Sequence, residues 1–250
     1  MKNNFFNKPV ANIYSKPSKN SEIVSQILYG EKFEIINNKK NWLKIKTKYD
    51  HYFGYIKKDS FIKKFKPTNK IYTLKSKIFK MIGRKFLPTK NFLYFGSGIE
   101  IRKKNKIFVE FEKNRWIKLK DTKKLNHYER EFSKILKLFI NTKYLWGGKT
   151  NEGIDCSALI QIYFYYNRIF FPRDTIDQIK YCRGKKNKKL KMGDIIFWKG
   201  HVGVCIDKSN FIHAYGPRGK VLIMSTSSTI NIISKTANLK VKKISNIKNY

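Results

Sequence analysis

Between residues 8 and 65 the apolar positions fall into short runs broken by turns. Ile23, Val24, Ile27 and Leu28 precede the turn-forming Tyr29-Gly30-Glu31, and the segments 33–36, 42–46 and the stretch around Gly54-Tyr55-Ile56 follow. Apolar–polar alternation over about four to six residues, with turns at such short intervals, predicts a small β-barrel. Pro67-Thr68-Asn69-Lys70 reads as a linker. The pattern then recurs in 71–74, 78–82, 92–95, the turn Gly96-Ser97-Gly98, 99–101, 107–111 and 116–119. Trp42 and Trp116 each head a strand after a polar turn, so the two stretches read as two copies of one β module.

Near Asn126 the period lengthens. Phe132, Ile135, Leu136, Phe139 and Ile140 recur at helical spacing and form one apolar stripe. A second helix is expected from about Cys156, with Leu159, Ile162, Tyr163 and Tyr166 on its apolar side. A third, short one is expected after Asp174, which can cap it. From Gly193 onward strands return at 194–198, 201–206, 210–215 and 221–224. Helices followed by an antiparallel sheet make an α+β order. The expected division is 1–66 and 67–125 for the two β modules and 126–250 for the α+β domain.

Composition removes several classes of protein. The 250 residues suffice for one large or a few small domains. With 41% hydrophobic and 15% aromatic residues, the chain is too apolar for a disordered polycation. No apolar run approaches the roughly 18 residues of a membrane helix. The first twenty residues hold only Phe5-Phe6 where a signal peptide needs about 7–15 apolar positions. Three cysteines cannot all pair, which fits a reducing compartment, and the expected location is cytoplasmic.

The 55 Lys+Arg against 17 Asp+Glu give a net charge of +38, and only eight of the cations are Arg. Together with the abundance of Asn, Ile, Phe and Tyr, this looks like drift toward A/T-rich codons. The lysines are spread end to end with no nucleic-acid module, and lysine lacks the forked donor of arginine, so no specific nucleic-acid partner is expected. A field this positive can also attract a small acidic substrate.

The chemistry gathers in Tyr144-Leu145-Trp146-Gly147-Gly148 and Gly153-Ile154-Asp155-Cys156-Ser157. Asp155 as N-cap leaves Cys156 in the first turn of a helix, where amide N–H groups and the macrodipole favour an anion. Such a cysteine is expected to have a lowered pKa and to be partly thiolate near neutrality. The competing reading is a small buried core cysteine. Two of the four histidines, His201 and His213, weigh against that alternative, because a thiol nucleophile needs an imidazole and the imidazole needs an orienting group. If the turn between their strands is Asp207-Lys208-Ser209, paired residue numbers sum to 416. His213 then faces Gly203, and His201 lies diagonally across on the same face, about 7–8 Å away. Gly203 leaves room between the rings. Cys205 reads as buried packing, Cys182 as incidental, and His51 and His127 as surface or packing residues. No zinc-ligand spacing is present, so neither metal nor cofactor is expected.

The ordered blocks YLWGG…GIDCSALIQ, FPRDTIDQ, KMGDIIFW, HVGVCID and FIHAYG resemble the NlpC-type family of bacterial cell-wall peptidases with a papain-like fold. SEIVSQILYGEKFEII…NWLKIK…YFGYI resembles a bacterial SH3-like domain, and the second module does so more loosely. Two SH3-like modules before such a domain, with no export signal, are similar to cytoplasmic γ-D-glutamyl-L-diamino acid endopeptidases of the dipeptidyl-peptidase VI type.

The resemblance implies a thiol peptidase that trims murein peptides with a free N-terminal L-Ala during recycling. Carried over by position, it makes Cys156 the nucleophile, His201 the base and His213 the orienting residue. Tyr144 supports the oxyanion beside the Cys156 N–H. Asp155 and Ser157 hold the substrate's amine and backbone, and Tyr52 is the aromatic that closes over the amine. Ala158 and Lys143 stand where the family commonly has Gly and Pro. Two other readings stay open: an amidase or acyl transferase using the same Cys/His/His set, and a murein-binding protein in which the SH3-like pair is the working part.

Overall fold

The computed structural model describes residues 4–59, 61–185 and 189–250, and the chain divides into two compact units at Tyr128/Glu129. Among the described residues, four α-helices and antiparallel sheets make it α+β. No helix among the described residues is long and apolar enough to cross a membrane.

The first half of the N-terminal unit is a six-stranded antiparallel sheet, in the spatial order 4–5, 32–39, 42–47, 53–57, 10–14 and 23–28. Its strands alternate as the sequence does. In Trp42–Thr47, Leu43, Ile45 and Thr47 are buried while Trp42, Lys44 and Lys46 are partly open. Phe6, Ile13, Ile27 and Phe33 complete that core. The second half has a five-stranded sheet built on the long hairpin of Lys75–Ile82 and Lys85–Tyr94, and a three-stranded sheet centred on Asn69–Ile71.

The 67–70 segment is therefore not a linker. Asn69 and Lys70 pair on one side with Gly98–Ile99 and on the other with Thr122–Lys124, and both are buried. Partners on both edges outweigh the weak strand propensity of Asn and Lys. Tyr29, from the first half, is fully buried in the core of the second among Ile71, Ile78, Leu93 and Phe111, and its hydroxyl donates to Glu112 Oε1 at 2.8 Å. Gly30 beside it is left-handed (φ +78°), and a Cβ there would lie 2.3 Å from the Gly98 carbonyl oxygen, so the turn needs glycine.

The C-terminal unit holds helices α1 (Phe132–Leu138), α2 (Cys156–Tyr166), α3 (Thr175–Tyr181) and α4 (Thr226–Ala237). Its five-stranded antiparallel sheet runs in the order 220–225, 210–215, 201–205, 194–198 and 243–246. The apolar stripe of α1 is buried through Phe132, Ile135 and Leu136. In α2 every residue but Tyr165 is buried, a wider apolar surface than the one-sided helix expected from sequence, because it runs through the core against the sheet. Cys205 lies in the sheet core with Phe211 and Trp198, as packing predicted.

Candidate active site

Local sequence sets the position of Cys156. Asp155 is extended (φ −94°, ψ 175°) and its Oδ1 accepts the Ala158 N–H at 2.8 Å, which starts α2 at Cys156. Between Tyr144 and Asp155 the chain doubles back: Lys149–Thr150 pairs with Gly153–Ile154, and Tyr144 bridges Ile154. Gly153 lets Leu145 approach, since a Cβ at 153 would sit 2.4 Å from the Leu145 Cβ.

The two strands that carry the histidines adopt the register expected. Val204 faces Ile212 and Cys205 faces Phe211, with Ile206 and Asn210 closing the turn. His201 Nε2 and His213 Nδ1 lie 2.9 Å apart. Gly203 supplies the gap: a Cβ there would meet the Phe211 ring at 2.4 Å and the His213 Cβ at 2.8 Å. Tyr215 stacks on the His213 ring at 4.8 Å and 12°, and Trp198 flanks His201 at 5.6 Å.

Cys156 joins this pair through the backbone on either side of His201. Its Sγ lies 3.9 Å from the Gly200 carbonyl oxygen, and the Val202 N–H, on the other flank of His201 in sequence, favours the thiolate. His201 Nδ1 has no hydrogen-bond partner among the described residues. Tyr144 is half-buried, its ring against Gly216 and its backbone N–H bonded to Gly219 O at 2.7 Å. Burial first, then the nearby Cys156 sulfur and Asp155 carboxylate, which both oppose a phenolate, push its phenol up, so it is a hydrogen-bond donor at neutral pH.

The electrostatics differ from expectation. Burial, with the Asp155 carboxylate beside it, pushes the Cys156 thiol up to about 11. The Val202 N–H, the Thr175 hydroxyl and Arg173 pull it down but do not compensate. The helix start is real, yet removing the sulfur from water outweighs it. Burial holds His201 down at about 4, and burial plus the neighbouring His201 holds His213 at about 3. The resting site is a neutral thiol beside two neutral imidazoles.

Arg173 is the participant that residue-by-residue reading missed. It lies 18 positions from Asp155, yet its guanidinium grips both carboxylate oxygens, with Nη1 to Oδ1 at 3.0 Å and Nη2 to Oδ2 at 2.6 Å. It also donates to Ser157 Oγ at 2.9 Å. The Arg173 and Asp155 side chains are 1% and 6% exposed. Asp155 further accepts from the Gly147 N–H and the Ser157 hydroxyl, so its carboxylate is occupied within the chain. The signal available in the sequence was scarcity: one of only eight arginines stands in the FPRDT block. Thr175, at the start of α3, is the other addition, through its hydroxyl on the sulfur. Asp174 stands at the N-cap of α3 but makes no side-chain capping bond.

Tyr52 belongs to the N-terminal unit, half-buried in the turn after Trp42–Thr47, with its N–H bonded to Thr47 Oγ1 at 2.8 Å. His51 is exposed, and His127 packs edge-on against Tyr72. No group of three His, Cys, Asp or Glu among the described residues is placed to hold a metal ion.

Residues 141–238 match the model of the NlpC/P60 family, and residues 13–61 match that of the bacterial dipeptidyl-peptidase Sh3 domain. Dipeptidyl-peptidase 6 of Lysinibacillus sphaericus is 26% identical over 237 residues, covering 82% of this chain and 84% of that protein. A γ-D-glutamyl-L-lysine dipeptidyl-peptidase of Bacillus subtilis is 32% identical over 100 residues, covering 37% of this chain and 34% of that one. The crystal structure of an NlpC/P60 family protein from Bacillus cereus superposes with a TM-score of 0.81 at 15% identity, covering 98% of this chain and 99% of the other. The chain thus carries an NlpC/P60 domain and a bacterial dipeptidyl-peptidase SH3 domain, in a fold shared with that B. cereus protein.

Proposed function

We propose that this protein is a cysteine peptidase that hydrolyses the γ-D-glutamyl–diamino acid bond of murein peptides whose N-terminal L-Ala is free. The observation that carries the reading is the contact of the Cys156 sulfur with the backbone flanking His201, whose ring is bonded at 2.9 Å to His213. We read the NlpC/P60 match as the catalytic half, and the second half of the N-terminal unit as a divergent copy of the SH3 module. Names of the matched relatives, one a γ-D-glutamyl-L-lysine dipeptidyl-peptidase, support the substrate class.

Cys156 attacks the γ-carbonyl carbon of D-Glu. The S–C bond forms as the thiol proton passes to Nδ1 of His201. The carbonyl oxygen takes the negative charge and accepts hydrogen bonds from the Cys156 N–H, unused by the helix, and from the Tyr144 hydroxyl. The C–N bond then breaks as His201 delivers its proton to the departing amine. A water gives a proton to the same nitrogen and attacks the thioester; the C–S bond breaks and the sulfur regains its proton. Because thiol and imidazole are neutral at rest, proton transfer accompanies attack and no standing ion pair is needed. Asp155 and Ser157, held by Arg173, form the polar floor on the acyl side.

The test is mass spectrometry of products from L-Ala-γ-D-Glu-diaminopimelate with a free and with an acetylated N-terminus. Release of L-Ala-D-Glu from the free form only, abolished in Cys156→Ala, supports the proposal. Equal cleavage of both forms points instead to a general amidase. Loss of the free-versus-acetylated preference in Tyr52→Ala tests the role expected for that residue.

A further inference from the structure

Beside the candidate active site lies a cavity of about 510 Å³, within the size range of small-ligand clefts. It shares Tyr144, Gly200 and His201 with the reacting constellation, but contains none of Cys156, Asp155, Ser157 or Arg173. Its far wall is apolar, from α4 residues such as Ile232 and Ile233 together with Leu239. Among the described residues, Lys199 and Arg218 are the only charged ones lining it, and neither forms an ion pair with another of them.

Which half of a bound peptide lies here follows from the direction of proton transfer. The imidazole of His201 hands its proton to the departing amine, so the leaving fragment lies on the His201 side of the sulfur. The Asp155–Arg173–Ser157 cluster, on α2 and the segment before α3, is outside this cavity and belongs to the acyl side. Both cations are tied to the reacting groups by short rigid turns. Lys199 sits two residues before His201 in the tight turn through Gly200 (φ +77°), whose carbonyl contacts the sulfur. Arg218 lies in the turn Gly216–Arg218, whose next residue, Gly219, accepts the Tyr144 N–H at 2.7 Å.

We infer that this cavity is the leaving-group subsite and that Lys199 and Arg218 select a leaving diamino acid bearing carboxylate. An aliphatic stem would lie along the α4 wall, and two unpaired cations favour an end that carries a carboxylate beside its ammonium over the lone ammonium of lysine. The inference rests on the endopeptidase reading above and adds substrate choice to it. Two carboxylates could serve: one at the end of a diaminopimelate side chain, or the main-chain terminus of the fragment.

The experiment measures kcat and KM of the full chain on four substrates, L-Ala-γ-D-Glu-X, with X diaminopimelate or lysine and each with its main-chain terminus as acid or amide. The parent is expected to favour the more carboxylate-rich substrates about five- to tenfold in kcat/KM, mainly through KM and weakening with added salt. A preference between diaminopimelate and lysine locates the recognised group on the side chain, and one between acid and amide locates it on the main chain. Lys199→Gln and Arg218→Gln, both at exposed positions, each shrink that preference, and the double variant brings it close to one. Equal kcat/KM on all four substrates, or variants that lose activity on all four in the same proportion, overturns the inference. A parent that cleaves none of the four, while melting as a folded protein, overturns the endopeptidase reading instead.

Discussion

His201 Nε2 and His213 Nδ1 share one proton across 2.9 Å, and that bond couples the tautomers of both rings. For His201 to receive a proton at Nδ1, its own must sit on Nε2 and point at His213 Nδ1. The His213 proton then lies on Nε2, a buried atom with no hydrogen-bond partner among the described residues. A buried N–H left so costs about 1–3 kcal/mol. The reactive arrangement is therefore held against a local penalty, by Tyr215 stacked on the ring and by the sheet behind it.

On the proposed mechanism, His213→Leu should lower kcat by roughly a hundredfold or more with a small change in KM, since orientation of His201 is lost. His213→Asn, which keeps a polar side chain facing Nε2, should recover part of that loss. Steady-state kinetics on L-Ala-γ-D-Glu-diaminopimelate distinguish the two. Equal rates for both variants would show that His213 does not act through a hydrogen bond.

The C-terminal unit should be labile in acid. His201 and His213 bind protons at an ordinary value near 6.5 when unfolded, but only at about 4 and 3 when folded. The unfolded state holds more protons between those limits, so the contribution is full above pH 6.5 and is lost as pH falls toward 3. Cys156 gives the opposite limb: its folded value of about 11 lies above the ordinary 9.0, and stability drops as pH rises from 9 to 11. Thermal melting against pH checks both. A His201→Asn/His213→Asn double variant should flatten the acid limb, and Cys156→Ala should lessen the alkaline one.

Arg173→Met leaves the Asp155 carboxylate buried with no counter-charge, and should cost about 3–5 kcal/mol in urea unfolding. Adding Asp155→Asn should return part of that loss, because the two substitutions act on one ion pair. Strict additivity of the two would mean that the pair contributes nothing beyond its separate contacts.

Gly203→Ala introduces a methyl 2.4 Å from the Phe211 ring and 2.8 Å from the His213 Cβ. Overpacking of that kind costs about 1–3 kcal/mol. Since His213 must move to relieve it, kcat should fall at least about tenfold while KM changes less. A variant with full kcat and a lowered melting temperature would show that Phe211 alone gives way.

The histidine register was legible because local chemistry specifies it. Asp207 caps the three-residue turn by accepting the Ser209 and Asn210 N–H groups at 2.8 Å, which makes the loop odd and puts both rings on one face. The start of α2 was legible for a similar reason, in the Asp155 cap. What escaped depends on distant parts of the chain. The Cys156 pKa follows from how completely α2 is enclosed, which no spacing rule expresses. Helix α4 is built from Ser, Thr and Ile, residues of modest helix propensity, and is held by Ile233 packing on Trp198 and Tyr215. Strand 69–71 is polar in sequence and ordered only by the two strands that flank it.

Tyr29 changes how the N-terminal unit can be handled. A side chain that leaves one six-stranded sheet to fill the interior of the neighbouring sheets makes each half incomplete without the other. Calorimetry of residues 1–128 should then give a single endotherm, and cutting the chain after residue 66 would leave a tyrosine-sized hole in one fragment and a bare aromatic ring on the other. Evolutionary shuffling of this pair would have to move both halves together.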